Sequence, residues 1–246
     1  MWSRELLKSN AKQCLARTWK TTILVVIAYS ILSGSLSATV SSNVEINQIS
    51  PSFWTIFGVA SLIGAVIGIF LISPLHVGYY RYFMEARQGD APFGSLFGAF
   101  RKGDYGNITL GMFMTDLKIF LFSLLLIIPG LIKTYEYALV PYLLAENPQM
   151  DYRRAQQLSR DIMRGEKLNL AILELSFMGW ALLGALLVSV LGVFLWILLL
   201  PLSFLFEVAL STYMDATRAE FYAAMREKAF AQNLSDPEEL GGFIAY

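Results

Sequence analysis

From Leu168 to Leu210 the chain carries only two ionisable side chains, Glu174 and Glu207, in a run dominated by Leu, Val, Phe, Ala and Gly. A helix of that composition is apolar on every side, and water cannot cover it; lipid can. Similar runs occupy Thr21–Thr39, Phe53–Tyr80 and Ile108–Ile128. The chain is 56% hydrophobic and 15% charged, whereas soluble domains sit near 45–50% and about 25%. We therefore expect an all-α membrane protein, a bundle of about six transmembrane helices with cytosolic amphipathic surface helices. The spans fall near 21–39, 53–80, 108–128, 131–146, 168–187 and 190–210 within one membrane domain, 1–225. A very short turn near Ser189 joins the last two. Residues 226–246 follow as a cytosolic tail, with the last fifteen reading as frayed.

The formal net charge is zero, yet the cations are unevenly placed. Five Lys or Arg precede the first span, four lie in 81–107, five in 147–167 and three after Asp215, which accounts for seventeen of nineteen. The 40–52 loop has none, and neither do the turns at Pro129-Gly130 and Ser189. Drawn with six crossings, that distribution leaves both termini in the cytoplasm. A five-crossing alternative, with 108–146 as one kinked helix, strands the basic 147–167 segment outside.

Three segments read as peripheral helices. Residues 2–19 place Trp2, Leu6, Leu15 and Trp19 opposite Arg4, Lys8, Lys12 and Arg17, which suits the headgroup layer. Phe93, Leu96, Phe97 and Phe100 make one apolar face expected to lie on the membrane surface. In 147–167, Asp151 is placed to cap a basic helix that Gly165 ends. Within the second span Ala60, Gly64 and Gly68 form a small-residue stripe, Pro74 marks a kink, and Tyr79, Tyr80 and Tyr82 suggest an aromatic belt.

Ionisable side chains inside the spans cost about 2.5–3.5 kcal/mol each on insertion scales, so each needs a reason. They are Asp116, Lys118, Lys133, Glu136, Glu174 and Glu207. Lys133 and Glu136 are spaced to pair on one helix face. Asp116 and Lys118 point different ways and need partners elsewhere. Glu174 and Glu207 are expected at similar depth, facing Lys118 or the basic loops. Pro129 and Gly130 break the third span from Leu131–Glu146, whose length of about 24 Å as a helix fits a short span, a re-entrant segment or the second half of a kinked helix. His76 reads as a hydrogen-bonded packing residue. Ser73 beside it is the only local hint of hydrolase chemistry.

Enzyme signatures are missing from the sequence: no phosphate loop, no HExxH, no nucleophile elbow. One histidine and one cysteine, Cys14, leave no metal-ligand set and no cofactor pattern. No basic block with interleaved aromatics speaks for nucleic acid.

The run Leu124–Lys133 around Pro129-Gly130 is followed by Tyr135, Tyr137, Pro141-Tyr142 and Glu146-Asn147-Pro148. Then come Leu158-Ser159-Arg160, Met163, Gly165, Phe177-x-Gly179-Trp180 and Tyr213 to Phe221-Tyr222. That order resembles domain of unknown function 975, a bacterial multi-pass integral membrane family, over nearly all of 1–225. Asp116 and the acidic tail from Asp236 depart from its pattern. The resemblance implies a bacterial cell-membrane protein and carries no activity or catalytic residue. Two functions are expected. One is a non-catalytic envelope component that organises or regulates partners or lipids, its basic segments meeting anionic headgroups or a protein at the cytosolic loops. The other is a small transporter or channel built on the intramembrane Lys and Glu residues around a broken helix.

Overall fold

The computed structural model describes residues 2–34, 51–89, 91–101 and 103–242. The N-terminal leader and the first span form one helix, α1 (Arg4–Gly34). The 40–52 loop with Glu45 falls outside the described residues, apart from 51–52, where α2 (Pro51–Ile67) begins. A π-helical turn over Gly68–Ile72 joins α2 to α3 (Ser73–Gln88), followed by a 3-10 helix over Phe93–Phe100. Then come α4 (Tyr105–Leu125), α5 (Ile127–Glu136), α6 (Val140–Glu146), α7 (Tyr152–Ile162) and α8 (Lys167–Ala231). Among the described residues every regular element is helical.

Pro74 explains the π turn. Its ring cannot donate to the Phe70 carbonyl, so the helix widens by one residue and the Ser73 N–H bonds Gly68 O instead. The Phe70 carbonyl takes its proton from the Tyr105 hydroxyl at 2.6 Å. The predicted break is thus a bulge whose freed acceptor α4 satisfies.

Two reversals set the architecture. Leu126 is extended (φ −160°, ψ 147°), and α5 folds back on α4, so that a Cβ at Gly130 would collide with Ser123 and one at Gly111 would press on Leu144. Segment 108–146 is therefore a hairpin, and its returning limb is two helices: α5 stops at Glu136 and α6 starts at Val140. The second reversal lies inside α8. Glu174 and Arg218 are 44 residues apart, about 66 Å along a straight helix, yet their side chains meet at 2.7 Å. Phe177 stacks edge-on against Tyr213, and Gly184 abuts Phe206. Ser189, where a turn was expected, is helical, and its hydroxyl bonds Leu186 O within the helix.

The molecule has two zones. One is a tightly packed core that includes Leu7, Tyr82, Phe83, Leu96, Leu143, Leu144, Leu158, Met163, Phe221 and Leu240, all at most 1% exposed. In the other the helices are bare: Leu124 to Ile128 are about 70% exposed, as are Leu168 and, to a lesser degree, Leu62, Leu182 and Leu202. Four helical stretches are long and apolar enough to cross a membrane: Arg4–Gly34, Ser61–Gln88, Tyr105–Leu125 and Lys167–Val190. Exposed apolar surface on this scale requires lipid, and the chain is a membrane protein.

The packed core corrects several expectations. The leader packs on the rest of the chain through one face, with Leu7 and Ala11 buried, Trp2 edge-on to Phe221 and Lys8 at Ser176, while Leu6 and Trp19 stay exposed. Tyr79, Tyr80 and Tyr82 are interior, not a belt. The Phe-rich segment docks on α3 through Leu96 and Ala99, with Gly78 admitting the Leu96 carbonyl, while Phe93 and Phe97 stay exposed. The C-terminal residues are not frayed as far as Gly242. Leu240 is buried, its carbonyl bonds Arg226, and Glu239 pairs with Arg154. Asp151 caps α7 as its position suggests, accepting from the N–H groups of Arg153 and Arg154. Gly64 and Gly68 meet nothing within 4 Å, so their stripe packs against no described part of this chain.

Candidate functional site

A cavity of about 440 Å³ opens where the α5–α6 break faces α3, the middle of α4 and both arms of α8. That size lies within the usual range for small-molecule sites. Its wall mixes apolar side chains (Ile119, Leu131, Leu139, Leu170) with the rings of Tyr80, Tyr135, Tyr137, Tyr142 and Phe221. Local sequence explains the position. Pro141 begins the short α6 and Pro129-Gly130 lies in the first turn of α5, so backbone between Glu136 and Val140 is left as a turn. Ser159 of α7 closes that gap, donating to Glu136 O at 2.7 Å and accepting from Leu139 N at 3.3 Å.

Of the six ionisable residues Asp116, Lys118, Lys133, Glu136, Glu174 and Glu207, only Asp116 and Glu174 line the cavity. Glu174 accepts from Arg218 at 2.7 Å and from the Tyr135 hydroxyl at 3.1 Å. Its partner is therefore Arg218, not Lys118 or a basic loop. Glu207 is not at its depth: with Gly184 against Phe206, it sits roughly 15 Å further along the arm. It is exposed and has no hydrogen bond or ion pair among the described residues. Lys133 and Glu136 pair at 2.6 Å, and Lys167 reaches the same carboxylate at 2.5 Å. Lys118 donates to the Gln156 amide, which in turn donates to Thr115 at 2.9 Å. Asp116 stands at the cavity mouth, with no hydrogen bond or ion pair among the described residues.

Ser73 and His76 both line the cavity but do not engage each other. The Ser73 hydroxyl donates to Gly68 O at 3.2 Å. His76 packs through its ring, 4.4 Å from Tyr80 and 5.8 Å from Tyr29, and makes no hydrogen bond among the described residues.

Sequence reasoning missed three residues. Arg218 sits beyond the last predicted span, yet bridges Glu174 and Asp215, the latter at 3.2 Å. Asp215 also accepts from Tyr79 at 2.7 Å. Tyr142 is 3% exposed, sandwiched between Tyr80 and Tyr222, and its hydroxyl has no partner. It is the one buried side-chain polar atom left unsatisfied among the described residues. The Pro141-Tyr142 pair was a visible signal; that the hydroxyl would be orphaned was not.

A family model described as "Protein of unknown function (DUF975)" matches residues 105–229. That interval holds α4 to α8 almost entire and most of the cavity wall, whereas the sequence likeness was drawn back to the N-terminal leader. No curated protein and no solved structure matches the chain.

Proposed function

The chain belongs to the DUF975 family of proteins of unknown function, and we propose that it is a non-catalytic integral membrane protein that binds an amphiphilic small molecule or lipid in the cavity at the α5–α6 break. The observation that carries this reading is the Tyr142 hydroxyl. It is buried, lies on the cavity wall and is unmet by any described residue. Folded proteins leave few such groups, because each costs about 1–3 kcal/mol in lost hydration. A ligand that parts the cavity wall at Tyr142 meets it.

In this proposal the cation-bearing segments face the cytosol of a bacterial cell, with both termini inside, and the apolar arms of α8 cross and return. What supports that orientation is the concentration of Lys and Arg in segments 2–20, 81–107, 147–167 and 218–228. What supports a binding role over an enzymatic one is the engagement of Ser73 by Gly68 O, away from His76.

Native mass spectrometry of the full chain, released from detergent micelles, tests the binding role. The expected result is an adduct that survives mild activation and is lost from Ala138→Trp, which fills the cavity. A bare wild-type chain whose melting temperature also ignores added lipid extract refutes the reading.

Transport is a second reading, favoured by one feature: the broken α5–α6 limb lines the cavity. Its working residues would be Asp116 and Glu174. Lys133 and Glu136 are committed to an ion-pair cluster with Lys167. Flux in proteoliposomes that disappears with Asp116→Asn would select it.

A further inference from the structure

We propose that the cavity selects an organic cation: a molecule with an amine or quaternary ammonium group on an apolar body. The inference rests on the binding reading above and names its ligand class.

Charge is the first argument. The ionisable groups on the wall are Asp116, Glu174, Arg218 and His76. Arg218 is spent within the protein: Nε and Nη2 donate to Glu174 at 3.1 and 2.7 Å, and Nη1 donates to Asp215 at 3.2 Å. On the wall two carboxylates, Asp116 and Glu174, stand against one guanidinium that Asp215 also shares, which leaves a formal excess of one negative charge there. The Lys118 ammonium is on Gln156, the Lys133 and Lys167 ammoniums are on Glu136, and none of the three lines the cavity. An anion entering here would find no free cation and would face Asp116 at the mouth.

The rings are the second argument. Tyr80, Tyr135, Tyr137, Tyr142 and Phe221 make much of the wall aromatic, and aromatic rings are the side chains that hold ammonium groups away from water. The Tyr142 oxygen, buried in that wall and with no partner among the described residues, can accept an N–H from a ligand that parts the wall there. A bare metal ion fits poorly. Ca²⁺ and Mg²⁺ want six or more oxygens, whereas Leu131, Leu139 and Leu170 occupy much of this wall.

Two ions of nearly equal shape and opposite charge, tetraphenylphosphonium and tetraphenylborate, test the proposal by equilibrium dialysis against the full chain in a neutral maltoside detergent. Tetraphenylphosphonium should bind saturably at one per chain. Asp116→Asn should weaken it about tenfold, as expected for one charge removed near a bound cation, and tetraphenylborate should show only micelle background. Asp116 makes no ion pair or hydrogen bond among the described residues, so this variant should melt with the wild type. Equal or tighter binding of the borate, or an unchanged phosphonium affinity in Asp116→Asn, overturns charge selection while the cavity still binds. Failure of both ions overturns it too. The binding role then stands if native spectra keep an adduct and falls with it if they do not.

Discussion

The Arg218 guanidinium lies 2.7 Å from the Glu174 carboxylate across the two arms of α8, and the same guanidinium reaches Asp215 on its own arm. One cation thus clamps the hairpin and compensates two acids. Removing Arg218 strands both carboxylates, whereas Glu174→Gln leaves the Arg218–Asp215 pair intact. Arg218→Met should therefore lower stability by on the order of 3 kcal/mol, and Glu174→Gln by distinctly less. Thermal unfolding in detergent reads the difference. The double variant should fall short of the sum, because each single change removes the same contact.

Tyr142 and Tyr222 stack on each other, 5.1 Å between ring centroids, yet their hydroxyls predict opposite responses. The Tyr222 hydroxyl donates to Glu146 at 2.5 Å, and burial pushes its pKa well up, so it stays a donor at any working pH. Tyr222→Phe should cost roughly 1.5–3 kcal/mol, the usual worth of a hydrogen bond to a charged group. Tyr142→Phe removes an unsatisfied hydroxyl and should leave the ligand-free protein unchanged or slightly more stable. A loss for Tyr142→Phe as large as that for Tyr222→Phe in ligand-free protein would mean the hydroxyl has a structural partner.

Glycine substitutions should sort by what their new Cβ meets. At Gly78 it would strike the Leu96 carbonyl, and at Gly184 the Phe206 ring; at Gly64 it meets nothing within 4 Å. Gly78→Ala should prise the 3-10 helix from α3 and abolish monodisperse protein on size exclusion. Gly184→Ala should cost less, since an aromatic ring can turn where a backbone carbonyl cannot. Gly64→Ala should be silent for the isolated chain.

How far the sequence carries this fold depends on what solvates each residue. The lipid-facing stretches were legible because an uncharged run can have only one solvent: Leu124–Ile128 and Leu182–Leu187 read as membrane segments and are bare in the structure. The packed core was not legible, because Tyr79, Tyr80 and Tyr82 beside Arg81 look alike as an interfacial belt or as an interior. Only long-range partners such as Thr22, which meets the Tyr82 hydroxyl at 3.1 Å, decide between them. The site follows the same rule. Lys133 and Glu136 could be paired from their spacing, but Arg218 joins Glu174 only because α8 doubles back. Ser189 misled because a small polar residue suits a turn, although its hydroxyl is equally content on the Leu186 carbonyl inside a helix.

The C-terminal segment should release with acid. Arg154 holds the Glu239 carboxyl below the usual carboxylate range through bonds of 2.7 and 2.8 Å. A depressed folded pKa stabilises the docked state at pH above the unfolded value, near 4.3 for Glu, and the benefit fades as pH drops through the lower folded value. Arg154 is more than a third exposed, so screening keeps this contribution small and salt should reduce it further. What makes the effect visible is its location. Glu239 sits next to Leu240, whose buried side chain and carbonyl, bonded to Arg226 at 2.5 Å, fix residues 232–242 against α8. Protection from hydrogen exchange over 232–242, taken against the intrinsic rate at each pH, should therefore fall below about pH 4, and Glu239→Gln should show the lowered protection already at neutral pH. Exchange in α8 before Ala231 should stay slow in both cases. If Glu239→Gln exchanges like wild type at neutral pH, Leu240 alone holds the segment and the ion pair is incidental.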